Sequence, residues 1–220
     1  MTKARWWIGA ALATTLTVAS NGAAWAAPIT FNFSGVVAQT VFDPFDPFGG
    51  AVQAGSPLYT YMNFDSVATD AIPGAGAGSY SWSGGTYGIA AVVGSLAFPV
   101  MRSLSVSIVD GDLGGPDQYL VFASEGIAGG LGDYFSMSML LEDSTGSAFS
   151  SDALPLTSPD LGRFATRSFT LNGQYTDASG AFIQYEVQGN LVIPEPHTAA
   201  LVGLGMFGCA VVRTRRKRTG

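Results

Sequence analysis

The chain of 220 residues contains one cysteine, Cys209, and one histidine, His197. With no second cysteine there is no intramolecular disulfide, although exported domains often rely on them. About 170 residues between the two ends are enough to bury a core without that help, and they make one domain. The stretch 27–193 has neither histidine nor cysteine. That excludes Ser-His-Asp and Cys-His catalysis and the usual histidine-bearing zinc and iron sites. Basic residues are equally scarce there, since seven of the ten sit at the two ends and only Arg102, Arg163 and Arg167 remain. All sixteen acidic residues lie between Asp43 and Glu195, so residues 27–196 set three arginines against sixteen carboxylates, a net charge of −13. Such a surface repels nucleic-acid phosphates and anionic headgroups, so no nucleic-acid partner is expected.

Both ends read as processing signals. Lys3 and Arg5 precede an apolar run from Trp6 to Val18, and Ala24-Trp25-Ala26 supplies the small-x-small pattern that signal peptidase accepts. The expected cut follows Ala26, with Ala24 and Ala26 as the recognised residues, which makes 1–26 a signal peptide. The run is short, is interrupted by threonines and leads into Ser20-Asn21-Gly22, unlike a membrane anchor.

At the other end, Pro194 and Pro196 fix their own φ and bias Ile193 and Glu195 toward extended backbone. Glu195 thus offers a lone carboxylate on a stiff, non-helical peptide, a form suited to a protease that reads extended chains. Thr198 is an N-cap candidate for a helix spanning 198–212, a stretch without charge. Fifteen helical residues reach ~22 Å, short of a hydrocarbon layer of roughly 30 Å. Arg213, Arg215, Arg216, Lys217 and Arg218 follow, and they predict a cytoplasmic C-terminus. An ordinary permanent tail anchor is the competing reading, which the short span disfavours.

This order of Pro194-Glu195-Pro196, a Gly- and Leu-containing apolar stretch and an arginine cluster resembles the PEP-CTERM sorting signal of Gram-negative bacteria. The resemblance implies that exosortase, an integral-membrane protease or transpeptidase, cuts near the motif. It also implies that Pro194, Glu195 and Pro196 are recognition residues of a substrate and not catalytic groups. The protein would be anchored transiently in the inner membrane and then reach the cell surface or extracellular matrix. Isoleucine at 193 and histidine at 197 are mild departures from the commoner residues of the signal.

The middle alternates with period two, as in Leu104-Ser105-Val106-Ser107-Ile108, Phe135 to Leu141 and Ile183 to Gln188. Six further strands are expected at Ile29–Ala38, Leu58–Phe64, Ser79–Ser83, Tyr87–Val93, Gln118–Ala123 and Arg167–Tyr175, and no segment reads as a core helix. The expected fold over 27–193 is all-β, an antiparallel two-sheet sandwich of jelly-roll type, with a single closed barrel as the other arrangement. The tail 194–220 follows it.

Three features between the strands invite a chemical reading. Asp110, Asp112 and Asp117 crowd one glycine-containing turn, where calcium is the cofactor that hard oxygen ligands would suit, against a plain turn capped by its own aspartates. Phe45 and Phe48 on the duplicated Asp-Pro-Phe loop, with Tyr80, Trp82 and Tyr87, form either a sugar-stacking platform or loop and core packing. Glu125, Glu142, Glu186 and the aspartates are the carboxylates from which a glycan-cleaving pair would have to come, and no spacing singles out a pair. Taken together, the sequence points to a non-enzymatic exported surface or matrix protein, structural or adhesive in a polysaccharide (biofilm) layer. A carbohydrate-binding module without catalysis and a polysaccharide-degrading enzyme are its rivals. Signal peptidase, exosortase and extracellular polysaccharide are the expected partners.

Overall fold

The computed structural model describes residues 27–43, 46–74, 76–111, 114–126, 134–177 and 179–193. The expected signal peptide 1–26, the sorting motif 194–196, the expected helical span 198–212 and the basic end 213–218 lie outside them. Ten strands form: β1 (Pro28–Asp43), β2 (Pro57–Asp65), β3 (Ala77–Ser83), β4 (Gly88–Val93), β5 (Leu96–Met101), β6 (Ser103–Val109), β7 (Asp117–Gly126), β8 (Tyr134–Asp143), β9 (Thr166–Thr176) and β10 (Phe182–Val192). A single 3-10 turn, Leu161–Arg163, is the only helical element among the described residues. No helix there is long and apolar enough to cross a membrane.

Alternation decides which face each strand buries. In β6, Leu104, Val106 and Ile108 are buried while the serines between them face outward. In β2 and β10, Leu58, Met62 and Phe64 and then Ile183, Tyr185 and Val187 do the same. All nine expected strands are present. The tenth, β5, carries Pro99 in the middle of its run, which hides it from a pattern search. Proline lacks a ladder donor and is tolerated on an edge strand. β5 is such an edge, and its register with β4 slips between Ile89 and Ala91.

The all-β expectation holds, but the strands bond into one sheet and not two. Their order is β3-β6-β7-β8-β9-β10-β1-β2-β4-β5, and every pairing is antiparallel. Five consecutive strands, β6 to β10, follow one another as a meander, in place of the crossovers of a jelly roll. β1 joins the halves because it is sixteen residues long. Its Pro28–Val36 stretch pairs with β2 and its Ser34–Asp43 stretch pairs with β10, with a bulge between Val37 and Gln39. A bulge bends a strand and increases its twist. At the overlap Gly35 lets β10 come close: a Cβ there would overlap the Asn190 carbonyl oxygen.

The sheet curls over its own inner face. Phe64 of β2 meets Trp82 of β3 at a ring separation of 5.4 Å, and Phe98 of β5 meets Phe135 of β8 at 6.2 Å. These pairs lie on strands far apart in the order, so the two ends of the sheet face each other across a shared core. β3 and β5 end the order without bonding to each other, which makes the curl open and not a closed barrel. The β3 edge is covered: Ala71 donates to the Ser79 carbonyl at 2.8 Å, and Ser79 donates to Asp70 Oδ1 at 2.8 Å.

Candidate functional site

The loops that begin β7 and end β8 are organised by two buried aspartates. Asp117 and Asp143 are register partners across β7 and β8, and both are buried. Asp117 Oδ1 accepts the Gly111 amide at 2.6 Å and Oδ2 accepts the Phe149 amide at 2.6 Å. Its carboxylate therefore ties the turn 110–117 to the long connection after β8. Asp143 accepts the backbone amides of Thr145 at 3.0 Å and Ser147 at 2.9 Å, together with both hydroxyls. Those bonds, the Thr145 amide first, hold its carboxyl well below the usual carboxylate range.

The expected calcium loop is thus placed. Asp110 is buried at the end of β6, its amide bonded to the Gly76 carbonyl at 3.1 Å; Asp117 opens β7; Asp112 lies outside the described residues. Both oxygens of Asp117 already serve backbone donors. Among the described residues no group of three or more His, Cys, Asp or Glu side chains is set to hold a metal ion. Asp117 thus bridges two separate segments, while Asp143 caps the turn that follows it through Thr145 and Ser147.

The aromatic candidates turn inward. Tyr80 and Trp82 share one face, as alternation requires, and it is the core face. Tyr80 donates its hydroxyl to the Asp152 carbonyl at 3.2 Å and accepts the Leu154 amide at 3.1 Å, so it pins the long connection to β3. Phe48 packs edge-on against Phe42, Phe98 and Tyr185, while Asp46 caps its loop by accepting the amides of Phe48 and Gly50. Trp82 is buried, Phe48 is half-buried against the core, and Phe45 lies outside the described residues. The glutamates are separated too. Glu125 accepts the Arg102 amide at 2.9 Å, Glu142 accepts the Gln118 side-chain amide at 2.7 Å, and Glu186 accepts from the Gln188 side chain.

The outer face of the sheet is what the linear sequence did not reveal. In register, one row runs Ser81, Ser105, Phe122, Ser138, Thr170, Gln188, Gln39 across seven strands. At ~4.8 Å per strand it extends about 29 Å. The rows on either side run in the same way from Ser79 to Val36 and from Ser83 to Val41. Serine, threonine, asparagine and glutamine fill most of these positions, and Glu186 is the one charged residue in the three rows. Among the described residues the other carboxylates sit in turns or at strand ends, apart from Glu142 toward the end of β8. Between Tyr134, Gln174 and Gln184 in one row and Asn172, Glu186 and Val41 in the next lies an open hollow of about 420 Å³. Its signal in the sequence was the kind of polar residue that alternates with the core positions: hydroxyls and amides instead of lysine and glutamate.

The chain ends leave neighbouring strands. Ser34 pairs with Val192, and Pro28–Phe33 runs on past the end of β10, so β1 begins and β10 finishes on the same side of the sheet. Residues 192–217 match the PEP-CTERM protein-sorting motif, and the chain carries that signal. The match begins at the last residue of β10. The signal implies export, anchoring in the membrane before processing, and exosortase as the processing partner. No curated protein and no solved structure matches the chain.

Proposed function

We propose that the protein is a non-enzymatic component of the cell surface or extracellular matrix, structural or adhesive within a polysaccharide layer. On this reading signal peptidase cuts after Ala26, exosortase reads Pro194, Glu195 and Pro196, and the basic end stays in the cytoplasm until it is removed. The observation that supports it most is the pairing of a PEP-CTERM motif with a sheet whose outer face is hydroxyl- and amide-rich and nearly free of charge. Such a face stays wetted by water or by a hydroxyl-bearing polymer, and the acidic turns around it favour solubility. While both signals are in place, the shared side of β1 and β10 faces the membrane and the rest of the body points away. Fractionation of a native culture tests the proposal. Recovery with the matrix, and release when the polysaccharide is digested, is the expected result; protein found only free in the medium of a matrix-bearing culture overturns it.

A further inference from the structure

We propose that the hollow on the outer face of β8, β9, β10 and β1 binds a stretch of neutral polysaccharide. The inference rests on the proposed residence in a polysaccharide layer and names the surface that would make the contact. Side-chain amides of Asn172 and Gln184 carry both donors and acceptors, which suits the vicinal hydroxyls of a sugar. The Glu186 carboxylate adds a stronger acceptor, and its bond from Gln188 fixes its direction. Tyr134 brings an aromatic ring to the same rim for the apolar C–H face of a sugar ring. A volume of about 420 Å³ falls within the ~300–1,000 Å³ of small-molecule sites.

Charge selects the class of ligand. The hollow has no arginine or lysine to hold a phosphate, sulfate or uronate, and Glu186 repels such groups. The apolar anchors that dominate protein–protein contacts are fewer there than the polar side chains, Val41, Tyr134 and the largely buried Tyr185 against Asn172, Gln174, Gln184 and Glu186. The hollow is open to solvent and not an enclosed cavity, which suits a polymer better than a small molecule held on all sides.

The test uses the mature exported protein in affinity electrophoresis with laminarin, hydroxyethylcellulose and dextran as neutral polymers and alginate as an anionic one. Retardation by at least one neutral polymer and not by alginate is expected, with affinity falling at least tenfold in Asn172→Ala/Gln184→Ala. Glu186→Gln should weaken binding less, because the amide keeps an acceptor. These side chains are solvent-facing, and unchanged Trp82 emission confirms that each variant is folded. Tyr59→Ala, on the exposed patch of β2, should bind as the wild type does. Retention of a neutral polymer that is unaffected at Asn172 and Gln184, or is lost with Tyr59, overturns the assignment of the site and leaves the matrix reading intact. Failure to retain any of the three neutral polymers, or preference for alginate, also overturns the site, while matrix fractionation reports separately on residence.

Discussion

Asp117 and Asp143 stand opposite each other in the β7/β8 register, both buried, and each carboxylate is turned to backbone amides. Two acids at adjacent positions would repel if both were left bare. The amides of Gly111 and Phe149 on one side and of Thr145 and Ser147 on the other compensate them. Three chain segments are thereby fixed at one end of the sheet.

Asp117→Ala should leave the Gly111 and Phe149 amides without their acceptor and cost about 3 kcal/mol, read as a lower urea midpoint. Millimolar calcium should leave the melting temperature of the wild type unchanged, because both Asp117 oxygens are already engaged. A ligand that binds only the folded state raises the apparent melting temperature, so an upward shift with calcium would restore Asp110, Asp112 and Asp117 as a cation site.

Acid should weaken the fold through Asp143. Its carboxyl titrates below the ordinary aspartate value of about 3.9, so its contribution is complete above that pH and declines as pH falls toward the depressed folded value. Asp177, lowered chiefly by the Ser179 hydroxyl, acts in the same direction. Urea midpoints measured from pH 7 to pH 2 should therefore be level down to about pH 4 and then drop. Asp143→Asn should be less stable at pH 7 and show a shallower drop. An unaltered acid slope in that variant would remove Asp143 from this account.

The curl depends on contacts such as Phe64 on Trp82. Phe64 is fully buried, and Phe64→Ala should cost about 3–5 kcal/mol. Trp82 is the single tryptophan after Ala26, so its emission reports on this contact alone in the mature chain. A blue-shifted emission that polysaccharide does not change is expected. A red-shifted emission, or quenching by added glycan, would put Trp82 at the surface.

How much could be read from the sequence depended on where period two survives. Leu104 to Ile108 keeps it unbroken, and the strand follows the reading. β1 appeared to end at Ala38 because the bulge between Val37 and Gln39 inverts the phase; beyond it Phe42 again packs on the core. That lost extension is what pairs with β10, and so the reading arrived at two sheets where β1 makes one. Pro99 concealed β5 for a local reason, since it marks an edge. The inward turn of Tyr80 and Trp82 followed from alternation, whereas the hollow needs Tyr134, Gln174 and Gln184 on three strands to be in register, with Asn172 and Glu186 in the next row, a relation set by long-range pairing. The PEP-CTERM motif was legible because its meaning lies in the order of residues along the chain.

Glu195→Ala should leave the sheet folded, since position 195 lies beyond Val192, the last residue of β10. The full-length precursor should then collect in the membrane fraction, as seen by immunoblot. Normal processing of that variant would mean that Glu195 is not what exosortase reads.

Intact-mass measurement on the protein recovered from outside the cell bears on the whole account at once. The predicted product starts at Ala27 and has lost the basic residues 213–218. A product that keeps Arg213 to Arg218 outside the cell, or a mature form confined to the cytosol, would contradict it.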